Sequence, residues 1–241
     1  MRIDIVTGLS GVAAAAWNRL VRNNNPFLRY EFLYALEVHQ CVGEKFGWWP
    51  RHIIAYDEKD HIIGAMPAYI KNNSYGELVF DWAWADFYAR QGQRYYPKLL
   101  NAIPYTPASC ERLLHLPQNT AVAPALIQTA IELSRQLGLS SLHCLFPPQE
   151  QLPVFIQAGL FVRKHYQFHW HNPGYADFNE FLQQFTAHKR KKLRRERRRV
   201  QEMGIDITVL NGRELSHAQW HWVSTFYRQT FREKGGLDTL N

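Results

Sequence analysis

Three carboxylates stand in the most aromatic part of this chain. Glu77, Asp81 and Asp86 lie within residues 74–107, SYGELVFDWAWADFYARQGQRYYPKLLNAIPYTP, which carry two of the eight Trp and five of the twelve Tyr. A carboxylate lodged among Phe80, Trp82 and Trp84 loses its solvent, and desolvation raises its pKa. A carboxyl group tuned in that way can take a proton from a nucleophile or give one to a leaving group. Asp81 and Trp84 are three residues apart, on one face of a helix, with Glu77 just before it. The plainer reading of Asp81 is a helix cap or a surface ion pair, because structural pairs also perturb carboxylates.

Trp82, Trp84, Tyr95, Tyr96, Lys98 and Tyr105 are the candidate binding residues of the same stretch. Trp and Tyr join an apolar body to a polar tip, which suits the wall of a cleft as well as a core. Tyr95, Tyr96 and Lys98 can hold an anionic donor or a peptide carboxylate. They can equally pack, with the lysine stem buried and its head in water. His143 and Cys144 are adjacent on an expected strand and point to opposite faces, which argues against a Cys–His pair. They read as a structural histidine and a small core residue.

A second chemistry sits further along. Lys189 to Arg199, KRKKLRRERRR, holds nine basic residues and one acid, a local charge of +8 in a chain of net charge +7. The rest is near neutral, so one local anionic partner is indicated and a general nucleic-acid coat is not. Lys189, Arg190, Lys192, Arg194, Arg195 and Arg198 are the candidate anion or RNA ligands. Such crowded cations repel one another at i, i+4, and phosphates relieve that repulsion. RNA backbone, tRNA in particular, or an anionic membrane surface would fit residues 188–199; a solvated helix face is the bland alternative. No aromatics are interleaved there, so reading of single-strand bases is not expected.

With 46% hydrophobic residues, the 241-residue chain is a folded protein. No run is apolar and long enough for a membrane span, and MRIDIVTG has no signal-peptide pattern. Cys41, Cys110 and Cys144 are far apart with no metal spacing, so a reducing compartment and no metal are expected.

The positioning elements follow from periodicity. Strands are expected over Arg2–Val6, Pro50–Tyr56, Ile62–Ile70, Lys98–Tyr105, Ser141–Phe146 and Phe161–Trp170. Helices are expected from Ser10 to Val21, around Phe32–Val38, from Phe80 to Arg90, from Asn119 or Thr120 to Gly138, and over Gln149–Ala158. Asn172-Pro173-Gly174 reads as a boundary. Beyond it come one long helix from Asp177 to Met203, a strand over Ile205–Leu210 and a helix from Ser216. The fold class is α/β, a mixed central sheet flanked by helices over residues 1–173, then the opening of a second unit of the same kind over residues 174–241.

That element order resembles the GNAT acyltransferase fold. SYGE (74–77), FDWAWADFY (80–88), RYYPKL (94–99), IPYTP (103–107) and HKRKKLRRERR (188–198) resemble the Fem-like, peptidoglycan-biosynthesis branch of that superfamily. The resemblance implies tandem GNAT-like domains, the second incomplete here, in a bacterial-type cytoplasmic enzyme that transfers an acyl group to an amine. It implies an acyl-CoA or an aminoacyl-tRNA as donor and a small-molecule or peptide amine as acceptor, on a cell-envelope precursor. GNAT proteins that use acetyl-CoA have a glycine-rich turn whose N–H groups cradle the pyrophosphate. Residues 106–120, TPASCERLLHLPQNT, contain no glycine, leaving Arg112 and a helix N-terminus for an anion. The competing class is a non-catalytic GNAT-like binding module whose basic helix docks on RNA or an anionic membrane.

Overall fold

The computed structural model describes residues 1–79 and 81–240. Phe80, expected to open the aromatic helix, lies outside the described residues. The chain divides into two compact units, one of Met1–Val162 with the residues from Phe231 onward, the other of Arg163–Thr230.

The first unit runs β1 (Arg2–Val6), α1 (Ala14–Asn18), α2 (Tyr30–Val38), β2 (Trp48–Pro50), β3 (His52–Tyr56), β4 (Ile62–Met66) and β5 (Tyr69–Lys71). It continues with α3 (Trp82–Arg90), β6 (Lys98–Asn101), β7 (Leu114–His115), α4 (Val122–Gln136), β8 (Leu142–Cys144) and α5 (Leu152–Gln157). This is the expected mixed α/β order. The strands form two four-stranded sheets, β1-β3-β4-β7 and β2-β5-β6-β8, rather than one continuous layer. All pairs are antiparallel except β6 with β8, the one parallel pair among the described residues.

The division falls where Pro67 interrupts the second long strand, because proline has no N–H for a ladder. The backbone groups freed there all find partners. Asn101 Nδ2 donates to Pro67 O at 2.6 Å, and Arg51 N donates to Ala68 O at 2.8 Å. Ala68 N donates to His52 Nδ1 at 3.2 Å. That bond makes Nδ1 the acceptor, so Nε2 carries the hydrogen and donates to Glu37 Oε1 at 2.9 Å. A buried bend needs such complete accounting.

α4 covers both sheets with Leu126, Ile127 and Ala130, in one core with Ile53 and Met66 of the first and Leu99 of the second. Gly64 permits its close approach, since a Cβ there would lie 2.1 Å from Val122 Cγ1 and 3.2 Å from Leu114 O. β5 and β6 bury Tyr69 and Leu100 with Trp48 and Phe46 in a separate core.

In the second unit α6 (Phe178–Gln183) and α7 (Ala187–Glu202) replace the single helix expected from Asp177 to Met203. Asp177 caps the first, accepting from Glu180 N at 2.9 Å. Thr186, in extended backbone, caps the second by accepting from Lys189 N, so the hydroxyl restarts the helix. α8 is His217–Glu233. Two expected strands do not form. Residues 161–170 and 205–210 carry no regular structure; Phe161 and Phe168 are 101% and 102% exposed. A strand needs a neighbour for its N–H and C=O groups, and neither segment has one among the described residues. The alternation that the sequence shows there is a face without a ladder.

Replacing Gly64 by Ala forces Val122 or the β4–β7 register to shift, and overpacking of this kind costs about 1–3 kcal/mol. The expected result is a lower unfolding midpoint for Gly64→Ala, largely restored by Val122→Ala in the same chain, read by thermal denaturation.

Candidate functional site

The site grows from two facing residues. Lys71 closes β5 and Lys98 opens β6, and the antiparallel register sets them directly opposite each other. Both side chains are fully buried. Like charges placed directly across a strand pair repel. Two carboxylates compensate. Lys98 Nζ donates to Glu77 Oε2 at 2.8 Å and to Asp81 Oδ2 at 2.6 Å, and Tyr95 Oη donates to the same Asp81 oxygen at 2.5 Å. Lys71 Nζ donates to Asn73 Oδ1 at 3.0 Å, Tyr75 O at 3.1 Å and Phe46 O at 3.3 Å, and lies 4.3 Å from the Trp48 ring centroid.

The local sequence explains this placement. Residues 72–79, NNSYGELV, form a loop that leaves β5 ahead of α3. Gly76 turns with φ +79°, where a Cβ would meet the Tyr105 ring at 2.5 Å. Glu77 follows the turn and points in. Asp81 sits at the N-cap position of α3, but its side chain makes no cap bond. It turns inward to Lys98 instead, because an ammonium in a buried site is a stronger partner than an exposed N–H.

Charges shift accordingly. Burial alone would raise the Asp81 carboxyl, but the Lys98 and Tyr95 hydrogen bonds and the Lys98 charge outweigh it and take it down to about 2. The desolvated, raised carboxyl expected there is therefore not Asp81. Burial raises Glu77 in spite of Lys98. Burial takes Lys71 down to about 7, with Lys98 adding to the fall and Glu77 and Asp81 opposing it. The Tyr95 hydroxyl is pushed well up, by burial first and then by its bond to Asp81.

Beside this cluster lies a cleft of about 650 Å³. Asn73, Ser74 and Tyr75 form one wall, Trp82 and Asp86 of α3 the other, and Tyr96 an edge. Tyr75 and Trp82 meet edge to face at 5.3 Å. Ser74 Oγ and Tyr96 Oη are hydrogen-bonded to each other. The residues named from the sequence thus separate into groups. Glu77, Asp81, Tyr95 and Lys98 come together in the buried network, while Trp82, Asp86 and Tyr96 line the cleft. Asp86 is exposed and paired with Arg90 one helical turn on. Trp84 is 48% exposed and lies outside both groups. Tyr105 donates to Cys41 O at 2.6 Å and packs on Trp48, a structural place. Lys71 was not among the residues the sequence singled out. Its signal was the paired spacing of two lysines on adjacent strands, legible only once the register is known.

Open α/β sheets take ligands at the carboxyl ends of their parallel strands, here β6 and β8. The residues present do not fit a CoA pyrophosphate. Arg112 is buried and gives its guanidinium to the carbonyls of Ala108, Cys110, Glu111 and Leu145, so it is not free to meet an anion. α4 starts at Val122 with no side-chain cap, not at Asn119 or Thr120. In its first turn Val122 N is bonded to Asn119 O and residue 124 is proline, so few N–H donors remain for an anion. Burial raises the Cys144 thiol to about 12, away from the range of a reactive thiolate. Among the described residues no group of His, Cys, Asp and Glu could hold a metal.

The second candidate surface is α7. Residues 163–230 hold thirteen Lys and Arg against six Asp and Glu, so the whole net charge of +7 lies in this unit. Lys189, Lys192, Arg194, Arg195 and Arg198 are exposed on α7, with Lys192 3.8 Å from Glu196. Arg190 is half-buried and donates to Phe185 O at 2.8 Å and Gln183 O at 3.4 Å, sealing the end of α6. No helix among the described residues is long and apolar enough to cross a membrane.

The FemAB-like family model, described as peptidoglycan biosynthesis/recognition, matches residues 8–241. The chain belongs to this family. The membership supports an N-acyltransferase at family level, with no particular substrate attached. No curated protein matches the chain. Among solved structures, the aminoglycoside 6'-N-acetyltransferase AAC(6')-IG of Acinetobacter haemolyticus is similar at 17% identity and TM-score 0.40, over 73% of this chain and 99% of that one. AAC(6')-Ih of Acinetobacter baumannii is similar at 14% identity and TM-score 0.42, over 72% and 99%. AAC(6')-Iy, solved in complex with CoA, is similar at 14% identity and TM-score 0.39, over 72% and 99%. At this level of likeness they lend no substrate to the chain.

Lys98→Met leaves two buried carboxylates without their cation, and breaking a buried pair on one side costs about 3–5 kcal/mol. Urea unfolding at pH 7 should show that loss. Asp81 titrates lower in the folded chain than its ordinary 3.8, so its contribution is full above about pH 4 and is lost as pH falls toward 2. A shift of this size corresponds to about 2 kcal/mol. Acid unfolding of the wild type between pH 4 and 2 should be steeper than that of Asp81→Asn.

Proposed function

We propose that this chain is an N-acyltransferase whose amine acceptor lies in the cleft between the 73–75 loop and α3, on a peptidoglycan or other cell-envelope precursor. One observation carries this reading: in a chain of the FemAB-like family, an aromatic cleft with an acidic residue on its wall adjoins a buried lysine–carboxylate network. Trp82, Tyr75 and Asp86 suit an ammonium-bearing chain, by cation–π attraction and by charge. The reaction forms one C–N bond and breaks the bond from the acyl carbon to its carrier. The amine gives up a proton and the leaving atom takes one. Burial raises Tyr96 and keeps its hydroxyl protonated, so it can donate to the developing oxyanion at the cleft edge. The buried network holds the walls; with Asp81 at about 2 and bonded to Lys98, it is a poor base at neutral pH.

Of the two carriers the resemblance implies, aminoacyl-tRNA is favoured. Arg112 spends its guanidinium on backbone carbonyls and residues 106–120 contain no glycine, whereas α7 carries the cations a phosphate backbone needs. The bond broken is then the ester C–O. On this reading the protein works in the cytoplasm, where that carrier is found. A second reading has one observation of its own, the concentration of all net charge in residues 163–230. In it the chain binds RNA or an anionic membrane and transfers nothing.

Thermal unfolding with acetyl-CoA, aminoacyl-tRNA and anionic vesicles, each in turn, separates these. Aminoacyl-tRNA at about 100 times its dissociation constant should add about 2.7 kcal/mol, a shift of several degrees that fades steeply with salt. Acetyl-CoA should add none. Trp82→Ala should keep the tRNA shift and lose acyl transfer to a lysine-bearing stem peptide. A tRNA or vesicle shift without transfer to any amine would establish the binding module, and a shift with acetyl-CoA would overturn the choice of carrier.

A further inference from the structure

Two hydroxyls meet at the edge of the cleft. Ser74 Oγ and Tyr96 Oη are hydrogen-bonded to each other, and both residues line it. Each hydroxyl has one hydrogen, and their shared bond uses one of the two. The other hydrogen decides what a ligand meets. If Tyr96 donates to Ser74, the Ser74 hydrogen is left over and Tyr96 offers the cleft a lone pair. If Ser74 donates to Tyr96, the Tyr96 hydrogen is left for the cleft.

Asp81 is the competitor for the Ser74 hydrogen. Its Oδ2 accepts from Lys98 and Tyr95, but its Oδ1 is buried with no partner among the described residues. Against the burial that would raise it, Lys98 and then the Ser74 hydroxyl hold this carboxyl down, so Ser74 lies beside it. An ionised carboxylate only accepts, and it is a stronger acceptor than a phenol. The loop keeps its shape without the Ser74 hydroxyl, because Lys71 Nζ and Trp48 Nε1 both hold Tyr75 O. The Tyr96 ring is fixed separately, edge to face with Tyr95 at 5.0 Å and with its centroid 5.5 Å from Lys98 Nζ. The Ser74 hydroxyl is therefore left to Tyr96 and Asp81.

We propose that Ser74 is a positioning residue whose single hydrogen is shared between Asp81 and Tyr96, and that it sets whether Tyr96 accepts a hydrogen bond from the cleft or gives one. Before reaction the Ser74 hydrogen points to Asp81, and Tyr96 offers its lone pair to the ammonium of the acceptor. As the amine attacks, negative charge gathers on the acyl oxygen at the cleft edge. Asp81 keeps Lys98 and Tyr95 as donors, so it can release the third. Ser74 then turns its hydrogen to Tyr96, and Tyr96 turns its own to the oxyanion. Two O–H groups rotate, and no covalent bond changes beyond those of the transfer itself. The proposal rests on the acyltransferase reading of the cleft.

Two measurements on the full chain test it. One is the kinetics of transfer from aminoacyl-tRNA to a lysine-bearing stem peptide. The other is the Tyr96 Cζ resonance of tyrosine-labelled protein without substrate, assigned with Tyr96→Phe. Ser74→Ala should shift that resonance and lower kcat about tenfold, the size of one hydrogen bond, with KM for the peptide unchanged. Ser74→Thr keeps the hydroxyl and should restore both. In a Tyr96→Phe background Ser74→Ala should cost nothing further, because Ser74 acts through Tyr96. Equal losses in the two backgrounds, or a loss confined to KM, would make Ser74 a purely structural residue and overturn the proposal. An unshifted resonance in Ser74→Ala overturns it as well. A resonance that responds to Ser74→Ala in a protein that transfers to no amine overturns the acyltransferase reading instead, and leaves Ser74 as the residue that holds the Tyr96 hydroxyl.

Discussion

Two lysine side chains face each other inside this protein, across one strand pair, and the first unit is arranged to make that tolerable. Burial of a charge is costly unless it is paired and hydrogen-bonded. Lys98 takes two carboxylates and Lys71 takes three oxygens and an aromatic face. The 72–79 loop and Asp81 supply most of these partners, and the turn at Gly76 brings Glu77 inward. α3 begins where Asp81 is held. The cleft is what remains between the loop and the helix once both are tied down. Its shape is thus a consequence of the charge network beneath it.

The same constraint separates roles that a list of acidic residues runs together. Asp81 and Glu77 share one lysine, but their environments drive them in opposite directions. Asp81 has two strong donors on one oxygen and stays ionised; Glu77 has one donor and more burial to overcome. Asp86, five residues on from Asp81, is on the outer part of α3 and belongs to the cleft. Paired titratable groups pushed apart in this way are common at functional sites, and also in structural networks. On the proposed reading the cleft beside them puts this network with the first.

The second unit obeys different physics. Its helices are held by caps and by tilted and edge-to-face aromatics such as Phe178, Phe181 and Phe185, while its charge is displayed on α7. A surface of that kind gains from a polyanion through release of counterions rather than through shape.

The sequence by itself determined what depends on neighbours along the chain. The β1, β3 and β4 strands, the α4 and α8 helices, the aromatic helix and the capped start at Asp177 follow from periodicity and capping within a dozen residues. It also marked the stretch 74–107, because Trp, Tyr and carboxylates crowded together are visible without a structure. Tertiary structure decided everything that needs a register. That Lys71 opposes Lys98, that Asp81 turns in instead of capping, and that Arg112 spends its guanidinium on carbonyls depend on contacts between segments distant along the chain. The strands expected at 161–170 and 205–210 have the right alternation, yet no partner strand meets them, and a strand exists only as one of a pair. A local pattern can specify a conformation, but the pKa of a buried group, and so its chemistry, is set by whatever the rest of the chain places beside it.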